Sequence, residues 1–409
     1  MLTTIIYRSH LCNNIPFKAL EDMVEAANQK NSRSKVTGIL LFNGTHFFQL
    51  LEGPEEEVLF IYNSICKDPR HYNLVELMHD YAPSRRFGNR GMELFDLRRF
   101  DKQEVLQNVL DQGTSRFQLT YHDRALQFFR TFVENWETDN YYEIPAEDTW
   151  EFVAEEELKQ AITVAPDLPT GCTFAFQPAI DPFSKEIISY EALIRTTEGS
   201  SPDTYFASVA EEGVYKADLQ SKSVALRMAK ELQIGKQTLS VNLKPQTLSV
   251  DTDAPGYLLK EIIENGFVPE QVVIEFTEHE ITSCFSHFKV ALKHLKSTGF
   301  RVAIDHFGAG FAGLALLTQF QPDIVKINRD LIQNVHKSGP RQAVIQAIIK
   351  CCTSLEIQMI AVGIEKSEEW MWLESAGISQ FQGNLFAEAE IGTIPSVRWP
   401  EMKSCTDFS

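Results

Sequence analysis

The sequence predicts a mixed architecture: a small α+β sandwich of ferredoxin-like type followed by a TIM-barrel-like (β/α)8 domain. Three observations predict it. The chain has 409 residues, more than the ~100–250 residues of an ordinary single domain. Strand and helix patterns follow the order βαββαββ in residues 1–100, and strand-then-helix repeats fill 171–400. We therefore expect domains at 1–100 and 171–409, joined by a helical linker at 101–170.

The first hundred residues alternate between strand and helix patterns. β-Branched residues in Thr3–Ser9 predict a strand, and apolar residues at helical spacing predict a helix over Phe17–Lys30. Asn43-Gly44 separates two apolar runs and predicts a type I′ hairpin turn, because both central residues of that turn need positive φ. The same patterns predict a helix from Pro54 and the strands Val36–Phe42, His46–Leu51, Leu74–Tyr81 and Met92–Leu97. This order is that of a ferredoxin-like sandwich.

The linker region contains two predicted helices within 101–137. An apolar stripe marks the second helix, and it consists of Ala125, Phe128, Phe129 and Phe132. Residues 138–170 are acidic and contain three prolines, which favours irregular structure. Within them, Trp150–Val153 is a candidate for an ordered packing element.

Polar residues end the apolar runs of the second half. They are Gln177, Glu191, Asn242, Glu275, Asp305, Lys326, Glu365 and Gln382. A (β/α)8 barrel has its active site at the carboxyl ends of its strands, so these side chains are expected to converge. Ordinary solvation of strand ends is the alternative, and it accounts for one or two such residues more readily than for eight.

Composition limits the function classes. There are 38 Lys and Arg residues against 56 Asp and Glu, a net charge of −18, and such a field repels nucleic acid. We therefore expect no direct nucleic-acid binding. No apolar run approaches the ~20 residues that span a bilayer, and the first residues read as a strand, so we expect neither membrane association nor export. Seven cysteines without a CxxC pair are typical of free thiols in the cytoplasm.

Several motifs of the first domain resemble the BLUF family of FAD-binding blue-light sensors. They are Ile6-Tyr7-Arg8-Ser9, Asn31, Thr37-Gly38-Ile39-Leu40-Leu41 and Phe47-Phe48-Gln49-Leu50-Leu51-Glu52-Gly53-Pro54. The resemblance implies an FAD site that includes Tyr7, Asn31, Gln49, Arg70, His71 and Met92. It also implies that Tyr7 and Gln49 form the light-responsive hydrogen-bond pair.

The side chains suit that role. A phenol can donate an electron and a proton, and a primary amide has donor and acceptor ends that rotation or tautomerisation exchanges. The alternative is that both residues are merely interior strand positions. We expect the signal to leave through Met92 and to reach the second domain by the helices of 101–137.

The second domain resembles the EAL family of cyclic di-GMP phosphodiesterases. The resemblance rests on Glu191-Ala192-Leu193, Ser240-Val241-Asn242, Val273-Ile274-Glu275 and Ile304-Asp305-His306-Phe307-Gly308. It implies Mg²⁺ or Mn²⁺ ligands at Glu191, Asn242, Glu275 and Asp305. It implies a lysine that orients or deprotonates the attacking water (Lys326) and an acidic residue that steadies the loop after strand five (Glu365). Substrate contacts are implied at Gln177, Leu193, Arg195 and Gln382.

Departures from the EAL pattern concentrate on the second metal ion. His306 and Val362 stand where that family has carboxylates, and Asn328 replaces an aspartate. Two-metal hydrolysis needs separate ligands for each ion, so the sequence predicts a degenerate, inactive site with a residual single-metal position. The alternative is that His306 is a neutral substitution in a weak, light-activated cyclic di-GMP phosphodiesterase.

The whole chain is similar to enterobacterial BLUF–EAL regulators. This resemblance implies a protein partner, a MerR-like transcriptional repressor that the chain would act on as an antirepressor. Binding of cyclic di-GMP stays open, and a homodimer is expected by analogy with EAL domains.

Overall fold

The computed structural model describes residues 2–12, 17–82, 85, 87, 90–99, 101–111, 124–134, 144–154, 171–283, 285–310 and 313–403. They form two compact units. The first contains 1–144 together with 334–343, and the second contains 145–333 and 344–409. Residues 155–170 of the predicted linker lie outside the described residues.

The first unit is built on one five-stranded sheet in the predicted βαββαββ order. Its elements are β1 (Leu2–Leu11), α1 (Phe17–Arg33), β2 (Thr37–Phe42), β3 (His46–Pro54), α2 (Glu55–Ile65), β4 (His71–Ala82) and β5 (Glu93–Asp96). The strand order across the sheet is β4-β1-β3-β2-β5, with only the β2–β5 pair parallel. The ferredoxin-like prediction is confirmed.

Both faces of this sheet are covered, which explains why β1 and β3 are buried along nearly their whole length. Helices α1 and α2 cover one face, where Leu20 and Val58 belong to the same core cluster as Tyr7. The helices α3 (Lys102–Asp111) and α4 (Arg124–Glu134) are the two predicted within 101–137. The apolar stripe of α4 covers the other face.

The turn between β2 and β3 differs from the predicted type I′ turn. Gly44 has φ +109°, but Asn43 keeps a negative φ, and three residues connect the strands. The reason is the Asn43 side chain, whose Oδ1 accepts hydrogen bonds from the backbone N–H groups of Thr45 (3.0 Å) and His46 (2.7 Å). Asparagine thus closes the turn through its side chain instead of its own left-handed backbone.

The second unit contains a closed eight-stranded barrel. Its strands are β7 (Cys172–Asp181), β8 (Glu186–Thr196), β9 (Thr238–Asn242), β10 (Val272–Thr277), β11 (Arg301–Phe307), β12 (Ile324–Ile327), β13 (Gln358–Val362) and β14 (Gln380–Gln382). The strands pair in sequence order, and β14 closes on β7. One prediction needs correction: β7 is antiparallel to both neighbours. A tight turn, not a helix, joins β7 to β8, so the first strand–helix repeat is missing.

Helices follow strands β8 to β13, and none follows β14 within the described residues up to 403. They are α5 (Pro202–Ala207), α6 (Val214–Glu231), α7 (Thr247–Val250), α8 (Ala254–Glu264), α9 (Glu278–Ser283), α10 (Phe285–Ser297), α11 (Gly313–Gln319), α12 (Arg329–Ile332), α13 (Gly339–Ser354) and α14 (Ser367–Ser375). Helix α13 begins within the first unit. Among the described residues, no helix combines the length and apolar character needed to cross a membrane.

A small antiparallel ribbon confirms the ordered element predicted around Trp150. Strand β6 (Trp150–Ala154) pairs with β16 (Arg398–Met402), and the two-residue β15 (Glu390–Ile391) pairs with β7. The Trp150 ring packs on Trp370 with 5.1 Å between ring centroids.

Candidate functional site

Tyr7 and Gln49 face each other across the β1–β3 pair. The Tyr7 hydroxyl donates a short hydrogen bond to Gln49 Oε1, and Gln49 Nε2 donates to the sulfur of Met92 at 3.4 Å. Burial raises the pKa of Tyr7 well above its ordinary value, so the phenol stays protonated as a donor. The amide of Gln49 thus connects Tyr7 to the segment that enters β5.

A cavity of about 330 Å³ opens beside this pair. All six residues predicted for the flavin site line it, namely Tyr7, Asn31, Gln49, Arg70, His71 and Met92. The apolar face of α1, with Leu20, Met23 and Val24, forms one wall. An apolar slot with a few convergent polar groups is the usual form of a cofactor site. The lining therefore fits a flat aromatic ring that has polar edges.

The polar lining residues are held by their neighbours. Asn31 is buried, and its Nδ2 donates to the carbonyl of Gly91 at 2.9 Å. His71 Nδ1 lies 2.9 Å from the Ser9 hydroxyl, and burial lowers the pKa of His71. Arg70 pairs with Asp68 at the mouth of the cavity, and that hydrogen bond lowers the pKa of the Asp68 carboxyl.

Three carboxylates meet inside the barrel. Oxygens of Glu191, Glu275 and Asp305, from β8, β10 and β11, all lie within 4.8 Å of one another. Asn242 on β9 donates from Nδ2 to Glu191 Oε1 at 2.8 Å. Oxygen ligands at this spacing suit Mg²⁺ or Mn²⁺. The structure thus brings all four predicted metal ligands together.

Lys326 lies among these carboxylates. Its Nζ donates to Glu191 Oε2 at 2.5 Å and to Glu275 Oε2 at 2.8 Å, and its side chain is buried. Burial alone would lower the pKa of Lys326, but the neighbouring carboxylates outweigh it and the pKa is raised. Burial raises the pKa of Glu275 to about 8, opposed by Lys326 and reinforced by Glu191 and Asp305. The cluster therefore has more negative groups than one lysine compensates, which favours a cation.

Of the four predicted substrate contacts, three line a cavity of about 290 Å³ next to the carboxylates: Gln177, Leu193 and Gln382. Gln382 Nε2 donates to Glu191 Oε2 at 2.9 Å and to Gln177 Oε1 at 3.3 Å. Arg195 is not among the described residues that line this cavity. Its Nη1 donates to the backbone carbonyl of Ile194.

The altered positions border the same cavity. His306, Asn328 and Val362 all line it. The His306 side chain is 59% exposed, and its Nε2 lies 3.5 Å from Asp305 Oδ2. Val362 packs against the apolar barrel interior formed by residues such as Ile360. The cavity thus offers an imidazole, an amide and an isopropyl group at the three positions where the EAL pattern has carboxylates.

The loop after β11 is contacted by a residue for which the sequence predicts no role. Glu278, at the start of α9, accepts a hydrogen bond from the Gly308 N–H at 2.7 Å through Oε2. Glu365, for which the EAL resemblance implies a role in steadying that loop, pairs with Arg329 at 2.6 Å. Glu278 lies three residues after the predicted ligand Glu275, directly after the end of β10. This position is the sequence signal that could have identified it.

Comparison with known families identifies both halves of the chain. Residues 2–93 match the family of sensors of blue light using FAD (BLUF), and 157–389 match the EAL domain family. The chain belongs to the BLUF–EAL proteins, which join a flavin photosensor to an EAL barrel.

Two relatives cover the full length. The chain is 58% identical over 404 residues to the blue light- and temperature-regulated antirepressor BluF of Escherichia coli, covering 98% of this chain and 100% of that one. The structure of Klebsiella pneumoniae BlrP1 with manganese and cyclic di-GMP superimposes with a TM-score of 0.92 at 40% identity, covering 98% and 100% of the two chains. The probable cyclic di-GMP phosphodiesterase PdeB of Escherichia coli is 28% identical over 234 residues, 55% of this chain and 44% of that protein.

Proposed function

We propose that this protein is a blue-light receptor whose EAL barrel has become a regulatory binding domain without hydrolytic activity. The observation that carries the proposal is the asymmetry of the barrel site. Oxygens of Glu191, Glu275 and Asp305 lie close enough together to hold one ion, while His306 and Val362, which line the adjoining cavity, stand where the EAL pattern has carboxylates. A second ion there would lack the two carboxylates that the EAL pattern has at these positions, and two-metal hydrolysis needs separate ligands for each ion.

The cavity of the first unit would hold FAD, which supplies the absorption of blue light. The Tyr7 hydroxyl donates a hydrogen bond to Gln49 Oε1, and Gln49 Nε2 donates one to the sulfur of Met92. Rotation or tautomerisation of the amide would exchange its donor and acceptor ends, so both contacts would change together. A change in one buried hydrogen bond is worth on the order of 1 kcal/mol. That is enough to shift the equilibrium of a strand or side chain between two conformations.

The barrel would keep its capacity to bind. Glu191, Glu275 and Asp305, with Asn242, would supply four of the six oxygen ligands that one Mg²⁺ or Mn²⁺ takes, and water would supply the others. Gln177 and Gln382 border the adjoining cavity, where cyclic di-GMP would bind. Lys326 is held protonated by its carboxylate neighbours, so it would orient a water or a phosphate better than it would remove a proton.

We propose the output to be a protein contact, an antirepressor action on a MerR-like repressor. This extends what is established for the full-length relative BluF, itself an antirepressor. The net charge of −18 favours a basic DNA-binding protein over DNA as the partner. An antirepressor of this kind would act in the cytoplasm, and a homodimer would follow the habit of EAL domains.

A weak light-activated cyclic di-GMP phosphodiesterase is the second candidate. The intact first-ion set and the Lys326 contacts favour it. Both candidates require flavin in the first unit, and they differ in whether cyclic di-GMP is hydrolysed.

A paired experiment tests the proposal. The purified, flavin-loaded protein is assayed with Mn²⁺ and cyclic di-GMP in darkness and under blue light, and the purified repressor is tested for binding in the same two states. We expect no turnover in either state and tighter repressor binding under one of them. Robust light-dependent hydrolysis would contradict the proposal and support the second candidate.

A further inference from the structure

A short segment between β12 and β13 belongs to the flavin-domain unit. This docked segment, Asn334–Ala343, clusters with residues 1–144, although the EAL family match spans 157–389. It comprises a single 3-10 turn, Val335–Lys337, and the first residues of α13. Val335 and Gln342 are buried within it.

The docked segment lies against an irregularity in β4. Ser338 forms a parallel bridge with Glu76, and the next residue, Gly339, leaves no room for a side chain. A Cβ at Gly339 would lie 2.8 Å from the Glu76 carbonyl oxygen and 3.0 Å from Leu77 Cα. Leu77 is the extra residue where the β1–β4 register shifts, between Ile6 and Tyr7. β-Bulges occur where a strand must re-aim a side chain, and this one adjoins the light-responsive tyrosine.

A second contact reaches β1 directly. Arg8, adjacent to Tyr7, is buried, and its Nη2 donates to Gln342 Oε1 at 3.3 Å. Gln342 Nε2 in turn donates to the backbone carbonyl of Val335 at 3.0 Å. The glutamine side chain therefore connects the residue after Tyr7 to the turn of the docked segment.

The chain leading into the docked segment comes from the metal site. Lys326 and Asn334 are eight positions apart in sequence, with α12 (Arg329–Ile332) between them. In that helix Arg329 pairs with Glu365, and its Cβ would lie 2.9 Å from a Cβ at Gly363. Leu331 would clash with a Cβ at Gly308. Helix α12 thus packs tightly on both loops that carry the altered second-ion positions.

We infer that the docked segment transmits the state of the Tyr7–Gln49 pair to Lys326 and the two loops beside it. This inference rests on the proposed light response. A change at Tyr7 would move Arg8 and the part of β4 beside Leu77. Because Gly339 packs closely against β4, the docked segment would have to move with it. Close-packed contacts of this kind shift between discrete arrangements. Coupling needs such an element, biased by both sites.

Hydrogen exchange of the flavin-loaded, full-length protein in darkness and under blue light tests the inference, with Gly339→Ala as the perturbation. Gly213→Ala is the matched control, because a Cβ there meets only Val209 Cγ1 at an ordinary 3.5 Å. The unmodified protein and the control are expected to change exchange in Arg329–Ile332 and in 363–365 on illumination. Gly339→Ala is expected to keep the flavin red shift and lose that change. Gln342→Met, which removes the Arg8 acceptor at similar volume, is expected to act the same way.

Three results would overturn the inference. One is a Gly339→Ala or Gln342→Met protein whose light-dependent exchange in Arg329–Ile332 equals that of the unmodified protein. Another is a response of the unmodified protein confined to Arg124–Glu134, which would assign the route to α4 and its phenylalanines. The third is an unmodified protein that shows no red shift under blue light. That spectrum would contradict the proposed light response itself, and not only the route of transmission.

Discussion

Cyclic di-GMP hydrolysis is expected to rise about a thousandfold when carboxylates are returned to the second-ion positions by His306→Asp with Val362→Glu. The backbone accepts both changes. His306 has φ +55°, a left-handed conformation that aspartate tolerates better than most residues, and its side chain is largely exposed. Val362 is only partly buried and already lines the cavity with Asn328, so a longer side chain can point into it.

The expected increase in the hydrolysis rate follows from the charge interactions and the activation barrier. Two unit charges about 4 Å apart interact by ~4 kcal/mol at an effective dielectric of ~20. Each restored carboxylate would interact with the charge of a divalent ion. That attraction would offset the dehydration of the ion and favour its binding at the second position. A second ion lowers the pKa of the attacking water and stabilises the charge on phosphorus oxygens. A barrier lower by ~4 kcal/mol is about a thousandfold in rate.

Turnover with Mn²⁺ in darkness and under blue light is the assay, and the product is the linear dinucleotide. The matched control is His306→Asn with Val362→Gln, which has the same shapes without the charges and is expected to stay inactive. A double carboxylate variant that binds manganese and remains inactive would refute the reasoning. So would equal activation by the amide control, since charge would then not be the cause.

Three further outcomes are expected. Gln49→Leu should keep the flavin bound but lose the light-induced red shift in the absorption spectrum, because the amide that exchanges donor and acceptor is gone; a full shift would remove Gln49 from the mechanism. Phe129→Ala should lower the free energy of unfolding of the flavin domain by ~3–5 kcal/mol in denaturant unfolding, because the Phe129 and Phe48 ring centroids lie 5.2 Å apart. Phe60→Ala, at a 62% exposed position, is the control and should change the free energy of unfolding by less than ~0.5 kcal/mol. Glu275→Gln should weaken Mn²⁺ binding at least tenfold by calorimetric titration, and unchanged affinity would place the ion elsewhere.

The sequence by itself determined the order of elements and most of the candidate site positions. Apolar periodicity is local, so it predicts α1, α4 and the barrel strands wherever the chain later places them. Strand-end polarity is local as well, and it identified Glu191, Asn242, Glu275 and Asp305 before any contact was known. The carboxyl ends of barrel strands meet on one rim, which is why a one-dimensional pattern predicted a three-dimensional cluster.

Tertiary structure decided what depended on a partner distant in sequence. The barrel closes where Phe381 of β14 pairs with Ile180 of β7, and these residues are 201 positions apart in sequence. The contact of Glu278 with Gly308 spans thirty positions, and that of Arg8 with Gln342 spans 334. One local contact also differed from the prediction: Asn43 closes its turn through its side chain, where the dipeptide pattern predicted a left-handed backbone. Periodicity records which face of an element is buried, but not which distant segment buries it, because that choice is made by packing and hydrogen bonding between surfaces that only the folded chain brings together.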